Sequence, residues 1–221
     1  MRVAFVINSL GAGGTERSTA VLLPLLRDRG IEPVVLALAH RSEGDEAAVI
    51  DAGFPVFVVE PTSLVARVRT LRGQIRALRP DVVHTAIFEA DVAGRLAAIG
   101  TGIPVISSLV NTPYDPERLR DPNVSSRKLQ AVRAIDGVTG WVLTTRFHAV
   151  TEGVADDAVA SLHIPPSRIS VVERGRDPEA LGRRSAARRA SVRDRLGWRE
   201  DRTIVLAVGR QEHQKGHVHL V

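Results

Sequence analysis

Three groups of residues in this chain have the types and spacing to do chemistry. The first is Ser9-Leu10-Gly11-Ala12-Gly13-Gly14-Thr15-Glu16, directly after the apolar run Arg2–Ile7. Glycines there let the backbone approach an anion, and a helix starting at that point offers unpaired N–H groups. The Gly13 and Gly14 amides are therefore candidate ligands of a phosphate or diphosphate. Glu16 falls in the first helical turn, where a carboxylate complements the helix dipole. The plain alternative is that the glycines only make a turn. The second group is Arg210 and Lys215, flanking the loop between a short apolar run and Gly216. Arginine grips phosphate bidentately and lysine supplies a mobile point charge. The third group is His84, Asn111 and Tyr114. His84 closes the apolar segment Asp81–His84, so it either meets a ligand hydroxyl or sits in the core bonded to a neighbour. Asn111-Thr112-Pro113-Tyr114-Asp115 opens a long loop, and long loops in compact domains are often functional. Tyr114, the single tyrosine, could stack on a sugar or lipid, or the loop could be purely structural.

A dinucleotide site is the first reading of the glycine loop, and it fits poorly. Gly11-x-Gly13 starts the fingerprint, but its third glycine position is Glu16. The acid expected roughly 20 residues on is missing; that stretch reads Leu38-Ala39-His40-Arg41. Arg41 could meet a 2′-phosphate, which keeps an NADP-dependent oxidoreductase open as an alternative. No Asp-x-Asp pair occurs, so no metal clamp is expected. His213, Gln214, His217 and His219 have no carboxylate arranged with them, so no metal site is expected there either.

These residues must be positioned by elements whose pattern is regular. Short β-branched runs alternate with amphipathic stretches. Strands are expected at Arg2–Ile7, Pro33–Ala39, Pro55–Val59, Asp81–His84, Pro104–Ser108, Phe147–Val150 and Arg168–Val172. Helices are expected at Glu16–Arg29 (stopped by Gly30), from a Ser42/Asp45 capping pair to Ala52, at Ser63–Leu78, Phe88–Ile99, from Ser125 past Ile135, and at Glu152–Leu162. Strands alternating with helices of this length imply βαβ units, and continuously apolar strands imply a sheet covered on both faces. The expected fold is a doubly wound parallel α/β sheet, with ligands at the carboxyl ends of its strands. After Gly175 the texture changes. Residues 177–201 read as polar, arginine-rich helix, and Thr203–Val208 reads as a fresh strand. One complete domain, residues 1–180, is expected, followed by a linker helix and the first elements of a truncated second domain, residues 181–221.

Composition narrows the class further. The 221 residues are 44% hydrophobic and 25% charged, as in ordinary globular proteins rather than disordered ones. Cysteine is absent, which excludes a disulfide framework and thiolate metal sites. There is no apolar run of about 18 residues, hence no expected membrane-spanning helix, and the N-terminus lacks a signal-peptide pattern. Residues 173–202 hold ten arginines against six acids, but without interleaved aromatics, so a solvated helix is expected rather than a nucleic-acid surface. A cytoplasmic protein is the plain reading.

Several of these segments together resemble the family-4 glycosyltransferases, which have the two-domain GT-B fold. Gly13-Gly14-Thr15-Glu16-Arg17 is similar to the family's Gly-Gly-Ala-Glu-Arg signature. Asp81-Val82-Val83-His84 resembles its Asp-Val-Val-His strand, followed here by Ala90 and Gly94. Ile169–Asp177 (ISVVERGRD) resembles the segment near the domain junction. Val208-Gly209-Arg210 with Lys215-Gly216 resembles the motif that opens the second domain. The chain departs from the pattern at Arg174 and Arg176, and at Asn111, where many members carry histidine and others asparagine. The resemblance implies a Rossmann-like, acceptor-side N-terminal domain and metal-independent, retaining transfer of a sugar from a nucleotide-diphosphate sugar. The acceptor would be a glycan, lipid-linked or small-molecule hydroxyl. Gly13, Gly14, Arg210 and Lys215 would bind the donor diphosphate. Glu16, His84, Asn111 and Tyr114 would face the acceptor, with His84 and Asn111 as candidate catalytic groups. No cofactor is implied. Family members also carry a second nucleotide-binding domain with a Glu–seven residues–Glu motif, so this chain alone is expected to be inactive. A non-catalytic binding module is the remaining alternative. Many members work on lipid-linked acceptors at the inner face of the membrane. Arg67, Arg69, Arg72, Arg76 and Arg79 would help such contact, or simply form a solvated face.

Overall fold

The computed structural model describes residues 1–60, 63–209 and 215–220. The chain divides into two compact units, Met1–Glu173 and Arg174–Val221.

The first unit is a seven-stranded sheet with strand order β3-β2-β1-β4-β5-β6-β7, every neighbouring pair parallel. The strands are β1 (Arg2–Ile7), β2 (Glu32–Ala37), β3 (Val56–Val58), β4 (Val82–Ala86), β5 (Val105–Leu109), β6 (Arg146–Ala149) and β7 (Ile169–Val171). The helices between them are α1 (Gly14–Arg27), α2 (Glu46–Asp51), α3 (Leu64–Leu78), α4 (Phe88–Ala98), α5 (Ser126–Leu143) and α6 (Glu152–Leu162). This is the doubly wound α/β architecture, and its strand order reverses direction between β1 and β4.

Alternation along β1 builds two cores. Ala4 and Val6 pack with Leu71 and Ile75 of α3 and with Ala90, Ala93 and Ala97 of α4. Val3, Phe5 and Ile7 pack with Leu23 of α1, Val49 of α2 and Phe54. A strand buried on both faces must be apolar throughout, which is why Val3–Ile7 carries no polar residue. Gly94 lets α4 settle onto the sheet: a Cβ there would stand 2.6 Å from Thr85 Cγ2.

Three local expectations need correction. Ser42 does not cap α2. The N-cap is Asp45, whose side chain makes no cap bond and pairs instead with Arg17. Helix α1 stops at Arg27, and Gly30 (φ +73) closes the following turn by donating to the Arg27 carbonyl at 2.9 Å. The third correction lies in the second unit, where Thr203–Val208 forms no strand and Val205, Leu206 and Val208 are 82%, 75% and 89% exposed. A strand exists only where a neighbour completes its ladder, and the described residues of this unit contain none. They contain two helices instead, α7 (Pro178–Leu181) and α8 (Ala186–Arg195), and a short 3-10 turn at His217–Leu220.

Candidate functional site

The carboxyl ends of β1 and β4 meet at the point where strand order reverses, the usual ligand crevice of an open α/β sheet. From Ile7 the chain runs through Asn8–Gly13 into α1. Leu10 is fully buried and anchors this loop from below. Ser9 Oγ accepts the Gly11 N–H at 3.2 Å. Gly13 is the N-cap of α1, but its N–H already donates to the Gly11 carbonyl at 3.0 Å. A diphosphate meeting the Gly13 amide would have to displace that bond. Glu16 turns back over Gly13 so closely that a Cβ at Gly13 would overlap its carboxylate. The loop after β2 lies on top: Asp45 N–H donates to the Leu10 carbonyl at 2.8 Å, and Gly44, at φ +125, abuts the Leu10–Gly11 backbone. The Arg41 stem packs on Gly11, 3.1 Å from where a Cβ would stand. Its exposed guanidinium has no partner among the described residues. Buried Glu46 holds this loop by accepting from the Arg41 N–H at 3.3 Å and pairing with His40 Nδ1 at 2.6 Å.

Across the crevice, β4 passes to α4 through Ile87 at φ +75, ψ 137. A β-branched residue there is a genuine outlier, and such strain gathers at functional sites. Asn8 Oδ1 accepts the Ala90 N–H at 3.1 Å, tying the end of β1 to the first turn of α4.

His84 lies in the middle of β4, not at its end, because the strand continues to Ala86. Its ring packs against Phe5 at 4.9 Å between centroids. Nε2 lies 2.9 Å from Ser108 Oγ, which lies 2.8 Å from His148 Nδ1, and His148 Nε2 lies 2.9 Å from the Val172 carbonyl. The carbonyl can only accept. His148 therefore donates from Nε2, Ser108 donates to His148 Nδ1, and His84 donates from Nε2 to Ser108. His84 Nδ1 is left as a buried lone pair without a partner among the described residues. Burial, helped by the neighbouring His148, pushes the His84 pKa down to about 4. His84 is thus engaged in the sheet's own network, with one open nitrogen.

Asn111 stands exposed two residues past the end of β5, at the carboxyl edge of the sheet. Tyr114 is the clear correction. Its ring is buried with Phe147, Ala158, Leu162 and Ile164, so it cannot stack on a sugar or lipid in this conformation. Its hydroxyl donates to Asp136 Oδ2 at 2.8 Å. Burial, reinforced by the Asp136 carboxylate, raises the phenol's pKa. Behind it, Arg95 (1% exposed) donates to Asp136 Oδ1 at 2.6 Å and to Ser107 Oγ at 3.0 Å. Asp91 accepts from Thr85 at 2.5 Å, and burial pushes its pKa up against the pull of Arg95. The arginines of α3 are only partly free. Arg72 donates to the Leu96 and Ala97 carbonyls at 2.8 and 3.2 Å, and Arg67 lies 3.8 Å from Glu89.

Lys215 is exposed in the second unit, where it and His217 neighbour Gly209. Arg210, His213 and Gln214 lie outside the described residues. Sequence reasoning missed Asn8, Ile87, Ser108 and His148. Only Asn8, polar at the end of an apolar strand, carried a local signal.

The Glycosyltransferase Family 4 profile matches residues 12–180. Alpha-maltose-1-phosphate synthase of Mycolicibacterium smegmatis is 31% identical over 147 residues, covering 63% of this chain and 36% of that protein. Among solved structures, HepE of Anabaena in complex with UDP superposes with a TM-score of 0.69 at 17% identity, covering 89% of this chain and 50% of that one. A glycosyltransferase of Rickettsia africae gives 0.66 at 17% identity, covering 98% and 54%. The chain thus spans about a third to a half of these proteins. At such identity the structures speak for the shared fold alone. The family profile goes further, because it runs from within the glycine loop through β4 and the buried network in one match over most of the chain: the chain belongs to Glycosyltransferase Family 4.

Proposed function

We propose that this chain is the acceptor-side half of a retaining, metal-independent glycosyltransferase. The enzyme would move a sugar from a nucleotide-diphosphate sugar to a hydroxyl of a glycan, lipid-linked or small-molecule acceptor. The observation that carries the reading is the crevice between β1 and β4, with its glycine loop, the start of α1 and the strained turn at Ile87. HepE has been solved with UDP and with UDP-glucose, which supports the donor class. Family membership sets the oxidoreductase alternative aside.

In this reading the leaving diphosphate gains negative charge in the transition state, and fixed positive groups aimed at it are the main catalytic contribution. The start of α1 at Gly14 and the unpaired Arg41 guanidinium supply that field from the first unit. Arg210 and Lys215 are kept as diphosphate ligands on the strength of their sequence motif alone. Glu16 and Asn111, both at the carboxyl side of the sheet, are the groups proposed to meet the acceptor hydroxyl, and His84 is kept as a candidate through its open nitrogen. Tyr114 has no direct role and holds the loop that begins at Asn111.

The 221 residues by themselves are catalytically silent in this proposal, because the donor pocket of a GT-B enzyme is shared by two closing domains. The intact enzyme is placed in the cytoplasm, with peripheral contact at the inner face of the membrane. Among the described residues no helix is long and apolar enough to cross a membrane.

The test is ligand-observed NMR with UDP-, GDP- and dTDP-sugars and NADP, on this chain and on the longest natural reading frame containing it. The expected result is one sugar nucleotide bound by the longer protein and little or none by the 221 residues. Binding of NADP with no response to any sugar nucleotide would overturn the reading.

A further inference from the structure

Three adjacent strands carry one line of hydrogen bonds. His84 of β4 pairs in register with Ile106 of β5, and Ser108, two residues further on, pairs with His148 of β6. Residues two apart share a face of a strand, so the three side chains stand on one face of the sheet. The line runs 2.9 Å from His84 Nε2 to Ser108 Oγ, 2.8 Å from Ser108 Oγ to His148 Nδ1, and 2.9 Å from His148 Nε2 to the Val172 carbonyl. A neutral imidazole has one donor and one acceptor nitrogen, and a hydroxyl has one hydrogen to give. The direction of the whole line is therefore fixed from one end. The Val172 carbonyl can only accept, and this places the hydrogen of His84 on Nε2.

A second proton on His148 makes both of its nitrogens donors. The bond to Val172 survives, but Ser108 now faces an N–H and must accept from it. The serine hydrogen turns to His84 Nε2, which can accept only by giving up its own hydrogen. His84 then carries its hydrogen on Nδ1. One proton has entered from solvent, each hydrogen between the rings has moved one place, and His84 has stayed neutral. Keeping the old direction would set two donors face to face inside the sheet and lose a buried bond.

Neighbouring charges leave the line to itself. Strands β4, β5 and β7 contain no Asp, Glu, Lys or Arg. On β6, Arg146 shares the face of His148 and donates to the Ser167 carbonyl at 2.6 Å. Helices α5 and α6 pack on Phe147 and Ala149, hence on the opposite face, which puts Glu152, Asp156 and Asp157 of α6 across the sheet. On the face of Phe5, which meets the His84 ring, Glu16 lies over Gly13, Arg17 pairs with Asp45, Arg27 donates to the Ala52 carbonyl, and Glu46 pairs with His40. His148 makes no ion pair among the described residues. Burial, then the charge of His148, lowers the His84 pKa to about 4, so above that pH a proton added to the line comes to rest on His148.

We propose that His84, Ser108 and His148 form a proton-driven tautomer switch: a proton taken up at His148 moves the hydrogen of His84 from Nε2 to Nδ1 and turns its open nitrogen from acceptor to donor. With the line uncharged, Nδ1 takes a hydrogen bond from a hydroxyl; with the line charged, it refuses one. The consequence for an acceptor hydroxyl rests on the proposed function, in which His84 is a candidate, whereas the switch itself does not.

The test is long-range ¹H–¹⁵N correlation NMR of the histidine-labelled chain, from neutral pH down towards the His84 pKa. The spectra show which ring nitrogens carry hydrogen, and single-histidine replacements assign the seven histidines. At neutral pH both His84 and His148 should be in the Nε2–H form. As His148 charges, His84 should pass to the Nδ1–H form without charging, and the two changes should share one midpoint. Ser108→Ala should uncouple them, leaving His84 in a single form, and Ser108→Thr, which keeps the hydroxyl, should restore the coupling. Circular dichroism checks that the variants fold. If Ser108→Ala does not, His148→Gln removes the titrating end instead, and His84 should then hold one form over the whole range. The switch is overturned if His84 keeps Nε2–H while His148 charges, if His148 stays uncharged over the range, if the His84 change survives either variant, or if His84 is in the Nδ1–H form at neutral pH. A lack of sugar-nucleotide binding would overturn the proposed function and leave these spectra as they are, so the two failures are distinguishable.

Discussion

Tyr114 Oη donates to Asp136 Oδ2 at 2.8 Å, while the other oxygen of the same carboxylate takes Arg95 Nη1 at 2.6 Å. One buried acid therefore joins the loop after β5 to α4 and α5. Truncating one partner leaves the carboxylate short of a bond inside the core. Tyr114→Phe should cost about 1–3 kcal/mol of stability, and Arg95→Met about 3–5 kcal/mol, because it strands Asp136 without its counter-charge. Urea unfolding followed by circular dichroism checks both. Equal, negligible losses would show that the cluster is not cooperative.

His84 makes stability depend on pH. Its folded pKa is lowered from 6.5 to about 4. Between those values the unfolded chain holds a proton that the folded chain refuses, so stability falls as pH falls from 6.5 towards 4. At about 1.36 kcal/mol per unit the loss is about 3 kcal/mol. His84→Gln removes the titration and keeps a donor towards Ser108. Asp91, with its pKa raised, contributes with the opposite sign, but it is common to both proteins and cancels in their difference. Unfolding free energies of the two proteins at a series of pH values from 7 to 4 should diverge by that amount. Parallel curves would refute the assignment.

Much of this was legible in the sequence, for identifiable reasons. Strand β1 is apolar at every position from Val3 to Ile7 because both faces are covered, and helices α3 and α6 announce themselves by caps, Ser63 and Thr151, whose side chains accept as such residues should. Thr203–Val208 misled because β propensity says only that a segment would suit a ladder, not that a neighbour is there. Tyr114 misled because a loop position suggests exposure, while its ring finds the core through a contact far along the chain, at Asp136. Ile87 was invisible: nothing in an isoleucine forecasts a positive φ. His84 was visible, but its chain through Ser108 and His148 depends on the register of three strands.

Asn8 caps α4 from another strand. Its Oδ1 satisfies the Ala90 N–H, one of the amides that a helix leaves open at its start. Ile87, the N-cap by position, has no side-chain acceptor. Asn8→Ala should cost about 1 kcal/mol, the usual value of a lost cap, and speed hydrogen exchange at Ala90. Asn8→Asp retains the acceptor and should stay within about 0.5 kcal/mol of the parent. Unchanged exchange at Ala90 in the alanine variant would mean that water replaces the cap at no cost.

Two of the crevice glycines, Gly13 and Gly44, should respond very differently to alanine. At Gly13 the backbone is extended (φ −142), and the atoms nearest to an added Cβ are the carboxylate end of Glu16, which can swing aside. Gly13→Ala should therefore cost less than about 1 kcal/mol while moving Glu16 off the loop. At Gly44 the obstacle is the backbone of Leu10 and Gly11, and φ is +125. Neither can yield without lifting the 40–45 loop from the glycine turn. Gly44→Ala should cost roughly 3 kcal/mol, combining backbone strain with the lost seat of the loop. The same loop carries Arg41, so its release should expose the Arg41–Ser42 bond to trypsin. Limited proteolysis read by mass spectrometry separates the two cases: early cleavage after Arg41 in the Gly44 variant alone supports a locked crevice, and equal cleavage in parent and variants would show that the loop is not held by this contact.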